Sequence, residues 1–204
     1  MRVHTTQHKK GFTLVEMIVS IGLFTIVLFI SSSAFLAVLN ADRKSRATRT
    51  AIDNLNLSLE DMSRRIKTGT TYNCGGGATG VNDCPYPGDT ILAITDQNDQ
   101  RVIYKRGVGT GAITAGNAVS GCGSTFSSTT QGCLIRHITS GTPLLVTGKD
   151  IHITNLRFVV NGAAPLPNTV QPYVAVLVDG ITTAGKITSA FKLQTTITQR
   201  MYDI

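Results

Sequence analysis

The sequence predicts an α+β protein: a long N-terminal α-helix, membrane-spanning in its first half, packed on a C-terminal antiparallel β-sheet domain. Three observations predict it. Residues 12–39 run apolar with one charge, Glu16, and no proline. Residues 41–67 contain neither glycine nor proline and repeat apolar side chains at helical spacing. After Gly69 the pattern changes to short β-like runs separated by turn residues.

Length and composition set the outer bounds. A chain of 204 residues holds one modest globular domain beside an anchor, and is too short for two ordinary domains once the helix is set aside. Charged residues are sparse, tryptophan is absent, and Gly, Thr and Ser crowd the second half, which suits an exported, β-rich, loop-rich domain. The formal charge is +7, but Arg2, Lys9 and Lys10 lie in a leader without acids; beyond residue 11 there remain 16 basic and 12 acidic side chains. Much of that excess sits in Arg43, Lys44, Arg46 and Arg49, so the basic balance gives weak grounds for a nucleic-acid partner.

The first element is Phe12–Leu39. Its 28 residues would make about 42 Å of helix, ample for a hydrocarbon core of about 30 Å. Three origins compete for it. A secretory signal peptide could be cut at Ser32-Ser33-Ala34, but the apolar run continues through Phe35, Leu36, Val38 and Leu39. A plain signal anchor explains the length and leaves Glu16 unused. Cleavage after Gly11 makes Phe12 the new N-terminus and gives the carboxylate a place. A charge within a spanning helix costs a few kcal/mol, about 3 at the centre, so it marks function by default. Basic residues flank both ends, so the positive-inside count does not orient the span; the short leader and the downstream cysteines put the N-terminus in the cytoplasm.

The run Lys9-Lys10-Gly11-Phe12-Thr13-Leu14-Val15-Glu16 resembles the prepilin motif of type IV pilins and type II secretion pseudopilins. The resemblance covers the basic leader, the glycine, the phenylalanine, the glutamate five residues into the mature chain and the apolar helix. It implies a structural subunit cut after Gly11 by a prepilin peptidase and N-methylated at Phe12. Such a subunit waits in the bacterial inner membrane and is drawn by an assembly platform and its cytoplasmic ATPase into a filament of other pilin or pseudopilin subunits. The resemblance also implies that Glu16 pairs with the Phe12 amine of a neighbouring subunit. The plainer account of Glu16 is a carboxylate near a helix N-terminus, favoured by the dipole. Major pilins often carry a kinking proline where this chain has Ser33, a departure that points to a straighter helix and a minor subunit. The expected organisation is leader 1–11, assembly half of the helix 12–39, amphipathic extension 40–67 and exported domain 68–204.

The extension carries Ile52, Leu55, Leu59, Met62 and Ile66 at 3,4,3,4 spacing, one narrow apolar stripe that stops at Thr68-Gly69. A homotypic coiled coil is the alternative, but about two heptads are few, and the strands that follow need a cover. The cluster from Arg43 to Arg49 reads as a solvated face; contact with lipid head groups or with an acidic patch on a neighbouring subunit are the sharper readings.

Strands are expected at Thr90–Thr95, Arg101–Lys105, Leu134–Thr139, Ile151–Val160, Tyr173–Val178 and Ile187–Arg200. In Ile151–Val160 the apolar parity slips between Ile153 and Leu156, which predicts a bulge near Asn155. Tyr173–Val178 is continuously apolar, as in a central strand covered on both faces. In the last strand Phe191, Leu193 and Ile197 share one face and Lys192, Gln194 and Thr196 the other. Between Gly107 and Cys133 the chain makes an excursion rich in Gly, Ser and Thr.

Cys74, Cys84, Cys122 and Cys133 read as two disulfides with three possible connectivities. Local pairing, Cys74 with Cys84 and Cys122 with Cys133, is favoured because each pair brackets a Gly-rich loop with little core. A zinc site of all four is the rival, but neither pair has the usual short ligand spacing.

No catalytic residues assemble. Gly107-Val108-Gly109-Thr110-Gly111 lacks the lysine and the strand–helix setting of a phosphate loop. Asp96, Asn98 and Asp99 open like a calcium loop, yet Arg101 replaces the required glycine and the closing glutamate is missing; a polar hairpin turn is expected, with calcium as the lesser alternative and no other cofactor. His4 and His8 lie in the leader; His137 and His152 are expected as half-exposed strand residues. The chain therefore reads as no enzyme but the substrate of one. The alternative function is a tip or minor subunit whose loops 107–133 bind a surface, a secreted cargo or DNA; the absence of an aromatic platform weighs against DNA.

Overall fold

The computed structural model describes residues 11–75, 80–124, 126, 128–164, 170–184 and 187–200. The chain divides into two units that meet between Arg43 and Lys44, and helix α1, Leu14–Thr68, is continuous through both.

In the first unit every residue from Gly11 to Val38 is exposed, including Phe12, Phe24, Phe29 and Phe35. Among the described residues these apolar side chains are left uncovered, and the stretch is long and apolar enough to cross a membrane. Three of its hydroxyls bond back to the helix: Ser20 Oγ donates to the Glu16 carbonyl at 2.7 Å, Thr25 Oγ1 to the Gly22 carbonyl and Ser33 Oγ to the Ile30 carbonyl, each at 2.8 Å. Bonds of this kind let hydroxyls sit in a lipid-facing helix without stranded donors.

In the second unit α1 continues as an amphipathic helix that buries Ala51, Leu55, Ser58, Leu59, Met62 and Ile66. Four of the five predicted stripe positions are in the core; Ile52 is not, at 37% exposure. Ala51 and Ile52 straddle the stripe about equally on a helical wheel. The smaller residue is the one turned toward Gly148 and Ile151. The helix ends in a set of donors: Tyr72 Oη to the Ile66 carbonyl at 2.6 Å, Arg200 N to Lys67 at 2.8 Å, and Gln199 Nε2 to Gly69 at 3.0 Å. These satisfy carbonyls that a helix C-terminus leaves open. Asp61 ties the helix to the sheet through Arg136, and Arg65 bridges Asp61 at 3.3 Å and Asp96 at 3.5 Å.

The strands are β1 Thr70–Cys74, β2 Cys84–Asp89, β3 Ile91–Thr95, β4 Arg101–Val108, β5 Gly132–Ile138, β6 Leu144–Leu145, β7 Ile151–Asn161, β8 Tyr173–Ala184 and β9 Ile187–Thr198. They form two antiparallel sheets, β1-β3-β4-β5-β6 and β2-β7-β8-β9. Leu55, Met62 and Ile66 of the helix share one core with Tyr104 and Leu134 of the first sheet and Phe158 and Val176 of the second.

The predicted bulge is present, as a register shift between Ile153 and Asn155, and it joins the sheets. The Ile153 carbonyl accepts Arg106 Nε at 2.8 Å, and a Cβ at Gly132 would lie 2.0 Å from that oxygen, so only glycine lets β5 approach. Strand β8 alternates, contrary to the expectation of two covered faces: Val174, Val176 and Val178 are buried, while Tyr173, Ala175 and Leu177 are partly exposed. A neighbour on each edge, β7 and β9, makes it central without a layer on its outer face. It also runs six residues past Val178, through Gly180, where a Cβ would meet the Phe191 ring at 2.5 Å. In β9, Phe191, Leu193 and Ile197 turn to the core as their alternation requires.

Candidate assembly site

The start of α1 is built by two side chains. Thr13 precedes the first helical residue and Glu16 lies three positions on. Thr13 Oγ1 accepts the Glu16 N–H at 3.2 Å, and Glu16 Oε2 accepts the Thr13 N–H at 3.4 Å. The Thr13 hydroxyl also reaches Glu16 Oε2 at 3.4 Å, and Met17 N–H closes the first turn on the Thr13 carbonyl at 3.2 Å. This is a reciprocal capping box, which satisfies two otherwise open donors and places a negative charge at the positive end of the helix dipole. The sequence carried its signature, a threonine followed three residues later by glutamate, and reading Glu16 through the dipole alone missed it.

Phe12 and Glu16 are both exposed, and no cation among the described residues pairs with the carboxylate. The cap holds Glu16 one turn from Phe12. Among the described residues nothing requires glycine at position 11: an added Cβ would meet nothing within 4 Å, and its backbone is outside the left-handed region. The rest of the leader, residues 1–10 with His4 and His8, lies outside the described residues.

The second unit holds the other candidate residues. Cys74 is joined to Cys84, and Cys122 to Cys133. The second bridge, with Phe126 and Ile135, forms a small core beneath the excursion 109–131. Replacing Cys122 and Cys133 by serine is expected to remove about 2–3 kcal/mol, the chain-entropy value for a loop of this length. Urea unfolding of the full chain in detergent, followed by circular dichroism, measures it. Lys105 is 2% exposed and clamps the excursion by donating to the Ala118 carbonyl at 2.8 Å and Thr114 Oγ1 at 3.2 Å. Burial pulls its pKa down.

Both strand histidines are buried rather than half-exposed, because the excursion folds over them. His137 Nδ1 accepts the Gly116 N–H at 3.1 Å. His152 Nε2 meets Gln131 at 3.0 Å and Thr183 Oγ1 at 3.2 Å, with the Phe126 ring edge-on at 6.2 Å. Burial holds the His152 pKa below its usual value, opposed in part by Asp150. The unfolded chain therefore takes up a proton near pH ~6.5 that the folded chain refuses. Stability of this unit is expected to fall as pH drops below about 6.5 and to level off beneath the depressed folded value. His152→Gln should flatten that slope in urea unfolding across the same range.

Asp96 makes the predicted hairpin turn: its Oδ1 accepts Asn98 N–H at 2.9 Å and Gln100 N–H at 3.0 Å, and its Oδ2 faces Arg65. The carboxylate is thus engaged by the turn and by a guanidinium. The Gly107–Gly111 run is the end of β4 and a loop, without a following helix.

A family model described as the prokaryotic N-terminal methylation motif matches residues 6–32. This is the prepilin-type motif of type IV pilins and pseudopilins. No curated protein and no solved structure matches the chain.

Proposed function

Starting from a chain that carries the prepilin-type methylation motif, we propose that it is the precursor of a structural, non-enzymatic filament subunit, anchored in the inner membrane by α1. A prepilin peptidase cuts between Gly11 and Phe12 and methylates the Phe12 amine. The subunit then polymerises through residues 12–39 and displays residues 68–204 outward, in a type IV pilus or a type II secretion filament.

The observation that supports this best is the join of three features within six residues: a glycine that no contact among the described residues requires, an exposed phenylalanine, and a carboxylate held one turn away by a cap. Cleavage turns the Phe12 amide into a cation. In an apolar filament core that cation and Glu16 are tolerable only when paired. The cap already engages Glu16 within its own subunit, and Glu16 has acceptor capacity for a second donor, so docking beside another subunit adds a partner without dismantling the helix start. The exposed apolar face from Phe12 to Val38 would be covered by lipid before assembly and by other subunits after it.

The experiment is deletion of the gene and complementation with native or variant chain, scored by sheared filament yield and by membrane fractionation. Native chain should restore filaments. Membrane-inserted chain that never enters a filament under any expression level would overturn the proposal.

A further inference from the structure

The described strands leave four sheet edges, and three of them are closed to pairing. β6 has two residues. β2 carries Pro85 and Pro87 and a register shift between Cys84 and Asp89. β1 is irregular between Thr70 and Asn73, and its outer side is taken up by Asn82, whose N–H donates to the Tyr72 carbonyl and whose carbonyl accepts the Cys74 N–H, each at 3.1 Å. These are ordinary means of protecting an edge. β9 has none of them. Its 12 residues pair with β8 from Thr198 to Ile187 without a register shift. They include no proline and one charge, Lys192, which lies opposite Asp179. Among the described residues nothing pairs with the other edge of β9.

The core is also unfinished along this edge. Phe191 and Leu193 pack against it yet stay half-buried, whereas Val176 and Val178 on the adjoining β8 are buried. A strand added beside β9 would cover them and satisfy the outward N–H and C=O groups at once. A second copy of β9 does not fit. β9 ends where the Arg200 N–H and Gln199 Nε2 reach the Lys67 and Gly69 carbonyls at the end of α1. Near its start Ser189 pairs with Thr182, which shares a cleft with Ala47 and Ala51. β9 therefore runs in the same sense as residues 44–68 of the helix. Two copies paired antiparallel through this edge would put the Lys44 ends of their helices at opposite ends of the pair. Chains anchored in one membrane need those ends on the same side. Two copies paired in parallel must each offer the same edge, so one is turned over and its core face leaves Phe191 and Leu193 uncovered.

We propose that the free edge of β9 is a docking site for an extended segment of a different polypeptide, which adds as a further strand to the sheet β2-β7-β8-β9. The main-chain ladder supplies affinity, and side chains at alternate positions supply selectivity. The segment that fits is uncharged, with apolar side chains beside Phe191 and Leu193 and polar ones beside Lys192 and Gln194. The exclusion of a second antiparallel copy rests on the membrane-anchored reading above; the open edge does not.

The test uses the full chain in detergent micelles and a capped peptide of about nine residues, ~30 Å when extended, that alternates valine and threonine between terminal lysines. Hydrogen exchange read by mass spectrometry should slow several-fold in β9 when the peptide is added, with β1, β2 and β6 unchanged. Consecutive N–H groups of a strand point to opposite edges. One of Q194P and T195P therefore removes an outward donor and keeps the ladder to β8. That variant, recognised by native-like urea unfolding, should lose the peptide effect. T195K sets an ammonium beside the incoming apolar side chains and should weaken the effect as well. No slowing in β9 up to the solubility of the peptide would overturn the proposal. So would slowing confined to another strand, or slowing kept in all three variants. Slowing in β9 that rises with protein concentration in the absence of peptide would give the edge to a second copy and overturn the partner proposed. Flotation with phospholipid vesicles is scored separately: a chain that does not float overturns the membrane-anchored reading and leaves the peptide result standing.

Discussion

Glu16→Gln is expected to abolish filaments while leaving the start of α1 and membrane insertion intact. Glutamine preserves the capping box, since its carbonyl can accept the Thr13 N–H as the carboxylate does. What it removes is the charge. If Glu16 meets the Phe12 amine of a neighbour inside an apolar core, loss of one partner costs about 3–5 kcal/mol for each docked subunit. That is a factor of more than about a hundred in the docking equilibrium. Thr13→Ala makes the opposite change: it keeps the charge and loses the cap, at about 1 kcal/mol. Filament yield should therefore order as native, then Thr13→Ala with a modest loss, then Glu16→Gln and Glu16→Ala, which should give no filaments. Normal yield from Glu16→Gln beside failure of Thr13→Ala would show that the carboxylate serves only its own helix.

Gly11→Val has the second large expected effect. An added Cβ meets nothing within 4 Å among the described residues, so folding and insertion should be unchanged. Its effect falls on recognition by the peptidase, and the precursor should persist with its leader attached. Without cleavage the Phe12 nitrogen stays an uncharged amide and Glu16 has no cation to meet, so filaments should be absent. Immunoblotting resolves the longer precursor from mature chain. Full processing of Gly11→Val would remove the requirement for glycine from the account.

The long helix was legible because its signals are local. A run without glycine or proline from residue 41 to 67, and an apolar stripe at 3,4,3,4 spacing, predict an end at Lys67; α1 ends at Thr68. The bulge in β7 was legible from a slip in alternation. Three strands were not. β2 contains Pro85 and Pro87, which argue against a strand except at an edge, where β2 lies. β1 is polar in sequence, yet it buries Tyr72, Asn73 and Cys74, and β6 has two residues. The single face of β8 was hidden because an apolar run does not say how many layers lie against it. The burial of His137 and His152 depends on where a distant loop folds, which no local pattern encodes. At the assembly site the residue types Gly11, Phe12 and Glu16 stood out in the sequence, while the cap that holds Glu16 emerged from coordinates despite its legible signature.

The central claim is that the functional N-terminus of this chain is Phe12, created by cleavage. Intact-mass and tandem mass spectrometry of the protein purified from membranes of its own host tests that most directly. The account predicts a chain beginning at N-methylated Phe12, with Cys74–Cys84 and Cys122–Cys133 oxidised. A chain beginning at Phe35, the product of an ordinary signal peptidase acting after Ala34, or one retaining its leader in a filament, would contradict it.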